Sequence, residues 1–249
     1  MKKILIIFSA IFAFSLSAQN KMAEANALYS SENYEEAIAL YKEMLSLGNE
    51  SAALYYNLGN AYYKINEIAP AILNYERALL LKPNDENIIA NLELARSRTV
   101  DNIDTVDTFF LKIWISGLVN LLSSNAWAVF SIITFVLFIV CVFFYFFGRY
   151  RLVRKIAFAK ACVLLLLSLS SFFFAKMQRD KILKHEYAIV FDDTLTVKGS
   201  PDVSGTDLFV LHSGTKVKVK SEFGGGLWYE IQLENGDTGW VKAESVERI

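Results

Sequence analysis

Two lysines and a short apolar run stand at the start of the sequence. The run extends from Ile4 to Phe14, and small residues follow it. This pattern predicts a secretory signal peptide over residues 1–18, because the run is too short to span a membrane comfortably. Cleavage after Ala18 and cleavage after Ser17 are both compatible with the small residues. Cleaved or kept as an anchor, the segment leaves its lysines in the cytoplasm and exports the chain that follows.

Residues 19–98 change to an amphipathic helical pattern that recurs after 34 positions. A period of this length predicts stacked helix-turn-helix units, with small residues where helices touch and large ones between units. A third copy stops after one helix, from Asn87 to about Arg98, with Asn84 or Asp85 as its cap. We expect this helix to cover the apolar face of the second unit. The positions shared by the first two copies are Ala27, Ala37, Ile38, Tyr41, Leu45 and Leu47, which recur as Ala61, Ala71, Ile72, Tyr75, Leu79 and Leu81.

The second copy, LYYNLGNAYYKINEIAPAILNYERALLLKPN, resembles the tetratricopeptide repeat (TPR). The first copy is weaker, with Ala25 in the place of Gly59 and no proline to match Pro83. The resemblance implies a TPR α-solenoid over residues 19–98, made of two repeats and a capping helix. Because about three repeats are usually needed for stability, we expect help from a partner or from self-association. The residues on signature positions of the family are Leu58, Gly59, Ala61, Tyr62, Ala71, Tyr75, Ala78 and Pro83.

An acidic stretch without an apolar period separates the repeats from two long apolar runs. We predict a linker over residues 99–108, TVDNIDTVDT, and an amphipathic helix in the headgroup layer over residues 109–122, FFLKIWISGLVNLL. Residues 126–147 are apolar without a charge over 22 positions, which predicts one transmembrane helix. Residues 156–174 predict a second transmembrane helix, with Lys160 reaching toward the near interface.

The last segment, residues 185–249, switches to short apolar runs separated by turn signals. The runs are YAIVF, LTVKG, LFVL, TKVKVKS, LWYEIQL and TGWVK, and glycine, proline, serine, asparagine or aspartate stand between them. About five short strands in a segment of this length predict a small β-barrel. The order LTVKGSPD, then LHSGTKVKV, then LWYEIQLENGDTGWV is similar to bacterial SH3 domains, which implies an SH3-like barrel.

Composition agrees with a chain of several unlike parts. Apolar residues make up 54% and charged residues 20%, which argues against one soluble globule. The net charge of −1 gives no general attraction to nucleic acid, so we predict no nucleic-acid partner. Both cysteines, Cys141 and Cys162, lie in apolar runs, which disfavours a disulfide framework or a zinc site. The resulting fold class is multidomain α plus β: an N-terminal α-solenoid, two transmembrane helices and a C-terminal small β-barrel.

The segment between the two spans is basic. GRYRLVRK, residues 148–155, contains Arg149, Arg151, Arg154 and Lys155. We predict that these four residues are topology determinants in a cytoplasmic loop, since Lys and Arg prefer the cytoplasmic side. Contact with anionic membrane lipid is a further role for them. Two spans then put the repeats and the barrel on the periplasmic side of a bacterial inner membrane. The segment after the second span is basic as well, so the prediction of this orientation rests mostly on the signal segment.

No group of titratable side chains suggests catalysis. His185 and His212 are not part of a metal-spaced cluster, and no glycine-rich phosphate loop opens a helix. The adjacent Asp192 and Asp193 would point apart in a turn, so a paired acid and base is not expected there. We therefore predict a protein that is not an enzyme and that holds no cofactor and no metal.

Binding has candidates on the inner helix of each repeat. The TPR resemblance implies a concave groove there, in which polar side chains hold an extended peptide or its carboxylate. Amides, phenols and a cation can form such hydrogen bonds. Asn57 and Lys64 are also common in repeats without a ligand, and the set does not match the carboxylate clamp of the family in full. The predicted peptide-binding residues are Asn26, Tyr29, Asn57, Asn60, Tyr63, Lys64, Asn91 and Arg98.

The barrel offers aromatic residues near a turn. We predict Trp228 and Tyr229 as an SH3 ligand patch, with Trp228 open between ligand contact and core. Trp240 follows a turn glycine and is expected in the core, where an aromatic residue of so small a barrel most often lies.

In its domain order the whole chain is similar to BatE-like proteins of the aerotolerance (Bat) operon. This resemblance implies a non-enzymatic inner-membrane protein, linked to oxygen or stress tolerance. Its partners would be other membrane proteins of a Bat-type complex, some with von Willebrand factor A domains. Two functions stay open. The chain is either a scaffold that binds protein partners through its TPR groove, or a cell-envelope sensor whose barrel recognises peptidoglycan peptides.

Overall fold

A computed structural model of the chain describes residues 19–103 and 110–249, without the side chain of Lys112. The chain divides into two compact units. The first contains the helical repeats without residues 80–84, the segment after them and the C-terminal sheet. The second contains residues 80–84 and the apolar helices. The predicted signal peptide, residues 1–18, and residues 104–109 of the predicted linker and helix lie outside the described residues.

Five helices form the repeats. Residues 19–30 are the described part of α1, and the later helices are α2 (Tyr34–Ser46), α3 (Ala52–Lys64), α4 (Ile68–Leu81) and α5 (Glu86–Arg96). The turns inside the two repeats are equivalent, because Glu32 and Asn66 both have φ of 65° and stand one repeat period apart. Of the two predicted caps of α5, Asp85 performs the role: its Oδ1 accepts hydrogen bonds from the backbone N–H of Asn87 and Ile88.

Small residues allow the helices of each repeat to touch. Gly59 on α3 faces the ring of Tyr75 so closely that a Cβ there would lie 2.7 Å from the Cε1 atom. Ala25 takes the equivalent place in the first repeat and is fully buried. Tyr41 and Tyr75 are each 1% exposed and fill the space between helices. The small and large residues that recur with the repeat period are therefore the residues that pack in the core.

The second unit contains α6 (Phe110–Asn120), α7 (Ser124–Phe147) and α8 (Arg151–Lys184). By length and composition, α7 and α8 can each cross a membrane, with mean hydropathy of 2.8 and 2.1 over their most apolar windows. Polar side chains join the helices. Gln178 is buried and donates a hydrogen bond to the carbonyl oxygen of Val119 at 3.0 Å, and the Trp127 indole donates to the same oxygen at 2.9 Å.

The basic segment is more helical than its sequence predicted. Helix α8 begins at Arg151, so only residues 148–150 separate α7 from α8, instead of a loop over residues 148–155. No glycine or proline follows Gly148 in this segment, and nothing in its composition stops the second helix from beginning early. Arg151, Arg154 and Lys155 consequently lie in the first turns of α8.

The C-terminal segment forms one antiparallel sheet of seven strands in its described residues, where about five strands were predicted. The unpredicted β7 is a short charged run that gave no strand signal, and it pairs with β1. The strand order is β3-β2-β6-β5-β4-β1-β7. The strands are β1 (Tyr187–Val190), β2 (Thr194–Lys198), β3 (Asp207–His212), β4 (Lys216–Phe223), β5 (Trp228–Gln232), β6 (Thr238–Lys242) and β7 (Val246–Arg248).

Within the first unit, the sheet packs against the end of the repeats. The buried carboxylate of Glu76 on α4 pairs with Lys216 of β4 at 2.7 Å and with Arg96 of α5. The Arg77 guanidinium donates hydrogen bonds to the Glu247 carboxylate at 3.0 Å and to the carbonyl oxygen of Arg248 at 2.7 Å. These contacts give the two repeats a partner inside their own chain.

Part of the predicted linker takes part in the same contact. The Asp101 carboxylate accepts a hydrogen bond from the Thr215 hydroxyl at 2.6 Å, and Ile103 packs against the apolar core of the sheet. Gly214 lies so close to the repeats that a Cβ there would meet Thr99 at 2.7 Å and Ile72 at 3.2 Å. Residues 99–103 thus connect the repeats to the barrel through side-chain contacts.

Candidate peptide-binding groove

A cavity of about 220 Å³ opens between the inner helices of the two repeats. Helices α1 and α3 form its walls, and Tyr41 of α2 reaches it from behind. Every side chain around it is uncharged. The lining residues are Asn26, Tyr29, Ser30, Tyr41, Asn57 and Asn60.

The side-chain oxygen of Asn26 is the hydrogen-bond centre of the first repeat. It accepts a hydrogen bond from the Tyr41 hydroxyl at 2.7 Å and another from the Asn57 amide at 2.9 Å. Tyr41 belongs to the same repeat, whereas Asn57 belongs to the next one. One carbonyl oxygen therefore joins the two helices of its own repeat and the neighbouring repeat.

The same arrangement recurs one repeat further along the chain. The Asn60 side-chain oxygen accepts from the Tyr75 hydroxyl at 2.8 Å and from the Asn91 amide at 2.8 Å. The Asn91 amide also donates to the Tyr56 hydroxyl at 3.0 Å. Together these residues form a ladder of asparagine and tyrosine side chains along the groove, which we call the asparagine ladder: Asn26, Tyr41, Asn57, Asn60, Tyr75 and Asn91.

The ladder leaves some amide groups of its asparagines unused. Among the described residues, the amide nitrogens of Asn26 and Asn60 and the amide oxygen of Asn57 have no hydrogen-bond partner. An amide offers both donors and an acceptor. These three groups can therefore pair with the C=O and N–H groups of an extended peptide backbone.

The tyrosines of the groove are neutral donors. Burial raises the pKa of Tyr41 to about 12, and the nearby Tyr29 adds to that rise while the neighbouring Asn57 side chain opposes it. Burial also raises the pKa of Tyr29, with Tyr34 and Tyr56 adding to it. Both hydroxyls stay protonated at physiological pH. The cavity therefore carries no formal charge of its own.

The remaining predicted groove residues lie outside this cavity. The Arg98 guanidinium stacks over the Tyr63 ring, 4.4 Å from its centroid, and donates a hydrogen bond to Asn66 at 3.3 Å. Lys64 is exposed and lines no part of the cavity. Asn91 contributes to the ladder through Asn60. Four of the eight predicted residues thus line the neutral cavity, and Asn91 supports them through the ladder. Tyr63 and Arg98 form a stacked pair outside the cavity, and Lys64 is exposed to solvent.

Sequence reasoning missed Ser30 and the two ladder tyrosines as site residues. Tyr41 and Tyr75 were recognised as repeat positions, but not as partners of the groove asparagines. Their signal was in the sequence, because Asn26 and Asn60, like Tyr41 and Tyr75, are separated by one repeat period. Polar side chains that recur with the core period indicate a hydrogen-bond ladder.

In the barrel, the two predicted patch residues lie on opposite faces of the sheet. Tyr229 packs against the apolar core, with the Arg248 guanidinium 4.6 Å from its ring centroid. Trp228 precedes it on β5 and points to the other face. Trp240 does not join the core: it is half-buried, lies opposite Glu230 across the strand pair, and contacts Phe223 at a ring distance of 6.1 Å. The alternation of β6 places Gly239 and Val241 inside, so Trp240 faces out.

Comparison with known protein families agrees with this geometry. Residues 25–66 match the family described as "TPR repeat", residues 52–85 match "Tetratricopeptide repeat", and residues 193–247 match "Bacterial SH3 domain". The chain carries TPR repeats and a bacterial SH3 domain. Both kinds of domain are typically non-catalytic interaction modules, and protein partners follow from them in general. In the described residues, no group of three or more His, Cys, Asp or Glu side chains could hold a metal ion.

One curated relative is similar over part of the chain. Sperm-associated antigen 1 of Rattus norvegicus is 32% identical over 73 residues, which cover 29% of this chain and 8% of that protein. The chain therefore spans less than a tenth of the length of this relative. The likeness concerns a segment about two repeats long.

Proposed function

We propose that the protein is a membrane-anchored scaffold whose TPR groove holds an extended segment of a partner protein. One observation carries the proposal: Asn26, Asn57 and Asn60 line one cavity, and each keeps an unused amide group while its other amide group is fixed by the asparagine ladder. Groups held in place by other hydrogen bonds lose little freedom when a peptide binds.

The neutrality of the cavity favours a peptide backbone over a terminal carboxylate. A carboxylate that is buried without a cation has no compensation for its desolvation cost, and the cationic Arg98 is stacked on Tyr63 and lines no part of the cavity. An extended backbone presents alternating C=O and N–H groups, which amides can pair with one by one. The ligand that fits is therefore an internal, extended segment of a protein.

Helices α7 and α8 serve as the membrane anchor in this proposal. The signal segment and the basic residues Arg149, Arg151, Arg154 and Lys155 support an orientation with the repeats and the barrel in the periplasm of a bacterial inner membrane. The domain order supports a place in a Bat-type membrane complex with a role in oxygen or stress tolerance. The partner segment would then belong to another protein of that complex.

A cavity-filling variant tests the groove. Ser30 is exposed, lines the cavity and donates its hydroxyl to the carbonyl oxygen of Asn26, so Ser30→Arg fills the groove without removing a ladder residue. Ser46→Arg is the matched control, since Ser46 is also exposed, lies on α2 outside the cavity and donates to the carbonyl oxygen of Glu43.

The measurement is quantitative co-purification of the tagged full chain from its native membranes. We expect at least one membrane protein to be recovered with the wild type and with Ser46→Arg, and to be reduced about tenfold or more with Ser30→Arg, which corresponds to the loss of one or two hydrogen-bonded contacts. Equal recovery with both variants would contradict a groove-bound partner.

A second candidate function is recognition of peptidoglycan peptides by the barrel. The observation that favours it is the outward aromatic cluster of Phe223, Trp228 and Trp240, because exposed aromatic rings supply contact area for a ligand. Purified sacculi would be incubated with the detergent-solubilised full chain and with the variants Trp240→Ala and Tyr187→Ala. Tyr187 is an exposed aromatic residue of β1 and controls for general adsorption. Retention lost only with Trp240→Ala would favour this function, and retention unchanged in both would remove it.

A further inference from the structure

Two cavities adjoin at the end of the hairpin where α7 passes into α8. The first, of about 360 Å³, is lined by Tyr145, Phe158 and three cations, Arg151, Arg154 and Lys155. The second, of about 310 Å³, continues between the two helices and has an apolar surface. Tyr145 and Phe158 line both cavities and contact each other at a ring distance of 5.6 Å. The two spaces therefore form one site with a cationic end and an apolar end.

The chain itself does not neutralise the cationic end. No aspartate or glutamate occurs in the sequence between Asp107 and Asp180. No ion pair involves Arg151, Arg154 or Lys155 within the described ranges 19–103 and 110–249. Three like charges placed close together repel one another, and an anion between them removes that repulsion.

Arg154 is held in position by the other helix. Its Nε donates a hydrogen bond to the carbonyl oxygen of Tyr145 at 3.1 Å, and its guanidinium lies 5.7 Å from the centroid of the Tyr145 ring. The hydrogen bond uses only one of the five N–H groups of the side chain. The terminal nitrogens stay available for an oxyanion, which a guanidinium can bind through two parallel hydrogen bonds.

The apolar end has the length and lining that an acyl chain would need. On α8 it extends from Phe158 to Leu165, a rise of about 10 Å along the helix axis. That length is about a third of the hydrocarbon thickness of a bilayer. Cys162 and Phe138 line its sides from the two helices. A small water-soluble anion would leave this space unfilled, whereas the first half of an acyl chain would bury apolar surface in it.

We propose that this end of the hairpin binds one anionic phospholipid, with its phosphate among Arg151, Arg154 and Lys155 and an acyl chain between Phe158 and Leu165. The inference rests on the proposed insertion of α7 and α8 in a membrane. It differs from general attraction of basic residues to an acidic surface, because it requires the apolar cavity as well as the charge. The bound lipid is an anionic phosphoglyceride such as phosphatidylglycerol.

The test uses the full chain in lipid nanodiscs that contain equal amounts of dioleoyl phosphatidylglycerol and dioleoyl phosphatidylcholine. Native mass spectrometry of the chain released from the nanodiscs counts the lipids that stay bound. We expect one retained phosphatidylglycerol per chain and preference over phosphatidylcholine. The triple variant Arg151→Gln, Arg154→Gln, Lys155→Gln should bind it about 100-fold more weakly, from the usual contribution of each surface cation.

The matched control removes the same charge elsewhere on the same unit. Lys160, Lys176 and Arg179 are exposed and line neither cavity, so the triple glutamine variant at these positions should retain the lipid. If both triple variants lose the lipid equally, lipid binding depends only on surface charge, and the proposal is overturned. Circular dichroism of both variants confirms that the helices have formed.

Two further arms separate the sources of the anion. The variant Cys162→Trp fills the apolar cavity at constant charge and should release the lipid, and retention in this variant would overturn the acyl-chain part of the site. Inorganic phosphate at millimolar concentration should not displace the lipid, whereas efficient displacement would assign the site to a soluble anion. Failure of the wild-type chain to enter nanodiscs would count against the membrane anchor, while entry without lipid preference would count against this site alone.

Discussion

The carboxylate of Asp101 binds His212 across 111 residues of chain. Its Oδ2 accepts a hydrogen bond from the backbone N–H of His212 at 2.7 Å, and its Oδ1 lies 2.6 Å from the ring Nδ1 of the same residue. Asp101 belongs to the segment after the repeats, and His212 ends β3 of the barrel. This pair, together with the Thr215 hydroxyl, makes the first residues of the predicted linker a bridge between the two domains of the first unit.

The Asp101 bridge should depend on pH. Burial alone would raise the pKa of Asp101, but the hydrogen bonds from Thr215 and His212 outweigh burial and hold the pKa below the usual 3.8. A lowered folded-state pKa means that the stabilisation is complete above the unfolded-state value. It is lost as the pH falls through the lower folded-state value.

We therefore expect Asp101→Asn to lower the free energy of opening of β3 and β4 by about 2 kcal/mol above roughly pH 5, with the difference shrinking below about pH 4. Hydrogen exchange of the full chain in detergent, corrected for intrinsic exchange rates, measures this difference at each pH. Asp237→Asn is the control, because Asp237 is exposed in the turn between β5 and β6. A difference that stays constant from pH 6 to pH 3 would exclude the carboxylate as its source.

Gly214 should be essential for the contact between barrel and repeats. Its φ of 91° favours glycine, and an added Cβ would also meet Thr99 and Ile72. Gly236 has an almost equal φ of 95° and open space around its Cβ position. Gly236→Ala therefore carries the backbone strain alone, about 1 kcal/mol.

We expect Gly214→Ala to accelerate amide exchange in α4 as well as in the barrel, and Gly236→Ala to affect only the turn between β5 and β6. Hydrogen exchange read peptide by peptide distinguishes the two patterns. The same pattern for both variants would mean that the side-chain clash has no effect on α4.

The asparagine ladder makes a prediction about two substitutions on one helix. Asn60→Ala removes an oxygen that accepts from both Tyr75 and Asn91, whereas Asn57→Ala removes one donor and leaves Asn26 bonded to Tyr41. After Asn60→Ala the Asn91 amide keeps the Tyr56 hydroxyl as an acceptor, but the buried Tyr75 hydroxyl has lost its own. Leaving a buried donor without an acceptor costs about 1–3 kcal/mol, and losing one ordinary hydrogen bond costs about 0.5–1.5 kcal/mol. The free energy of opening of α4 and α5, from hydrogen exchange, should fall more for Asn60→Ala. The reverse order would show that the ladder does not hold the repeats together.

Much of the fold could be predicted because its signals are local. The repeat period predicts helices that touch, and they do so at Gly59 and Ala25. The two apolar runs predict helices that are long enough to cross a membrane. The turn glycines between the strands likewise report the antiparallel sheet. Strand β7 escaped prediction because its charged residues pair with β1 only through the open edge that the folded sheet provides.

The tertiary contacts could not be predicted from the sequence in the same way. Asp101 sits in a stretch without an apolar period, and its partners lie far away in the sequence, on the other side of both apolar runs. Trp240 follows Gly239, which is itself buried. Only the register of β6 decides whether Gly239 or Trp240 faces the core. In the groove, most of the polar residues could be predicted from the repeat pattern, but their mutual hydrogen bonds could not, because they join side chains of different helices.

The proposed membrane orientation predicts opposite reactivity of two cysteine substitutions. In a chain with Cys141→Ala and Cys162→Ala, Val203→Cys would report the barrel and Tyr150→Cys the turn between α7 and α8. Val203 is 71% exposed and Tyr150 is 73% exposed, so neither is shielded by the protein. We expect a membrane-impermeant maleimide to label Val203→Cys on spheroplasts and to label Tyr150→Cys only after the membrane is disrupted. Labelling of Tyr150→Cys on intact spheroplasts would contradict the periplasmic placement of the barrel.

The most direct test of the scaffold function is photo-crosslinking from inside the groove. A benzophenone amino acid would replace Tyr29, which lines the cavity, or Lys42, which is exposed on α2, in the full chain in its native membranes. We predict a crosslink from position 29 to an extended segment of one membrane protein, its loss when Ser30→Arg fills the groove, and no such crosslink from position 42. The same adduct from both positions, or an adduct at position 29 that survives Ser30→Arg, would contradict binding of a partner in the groove.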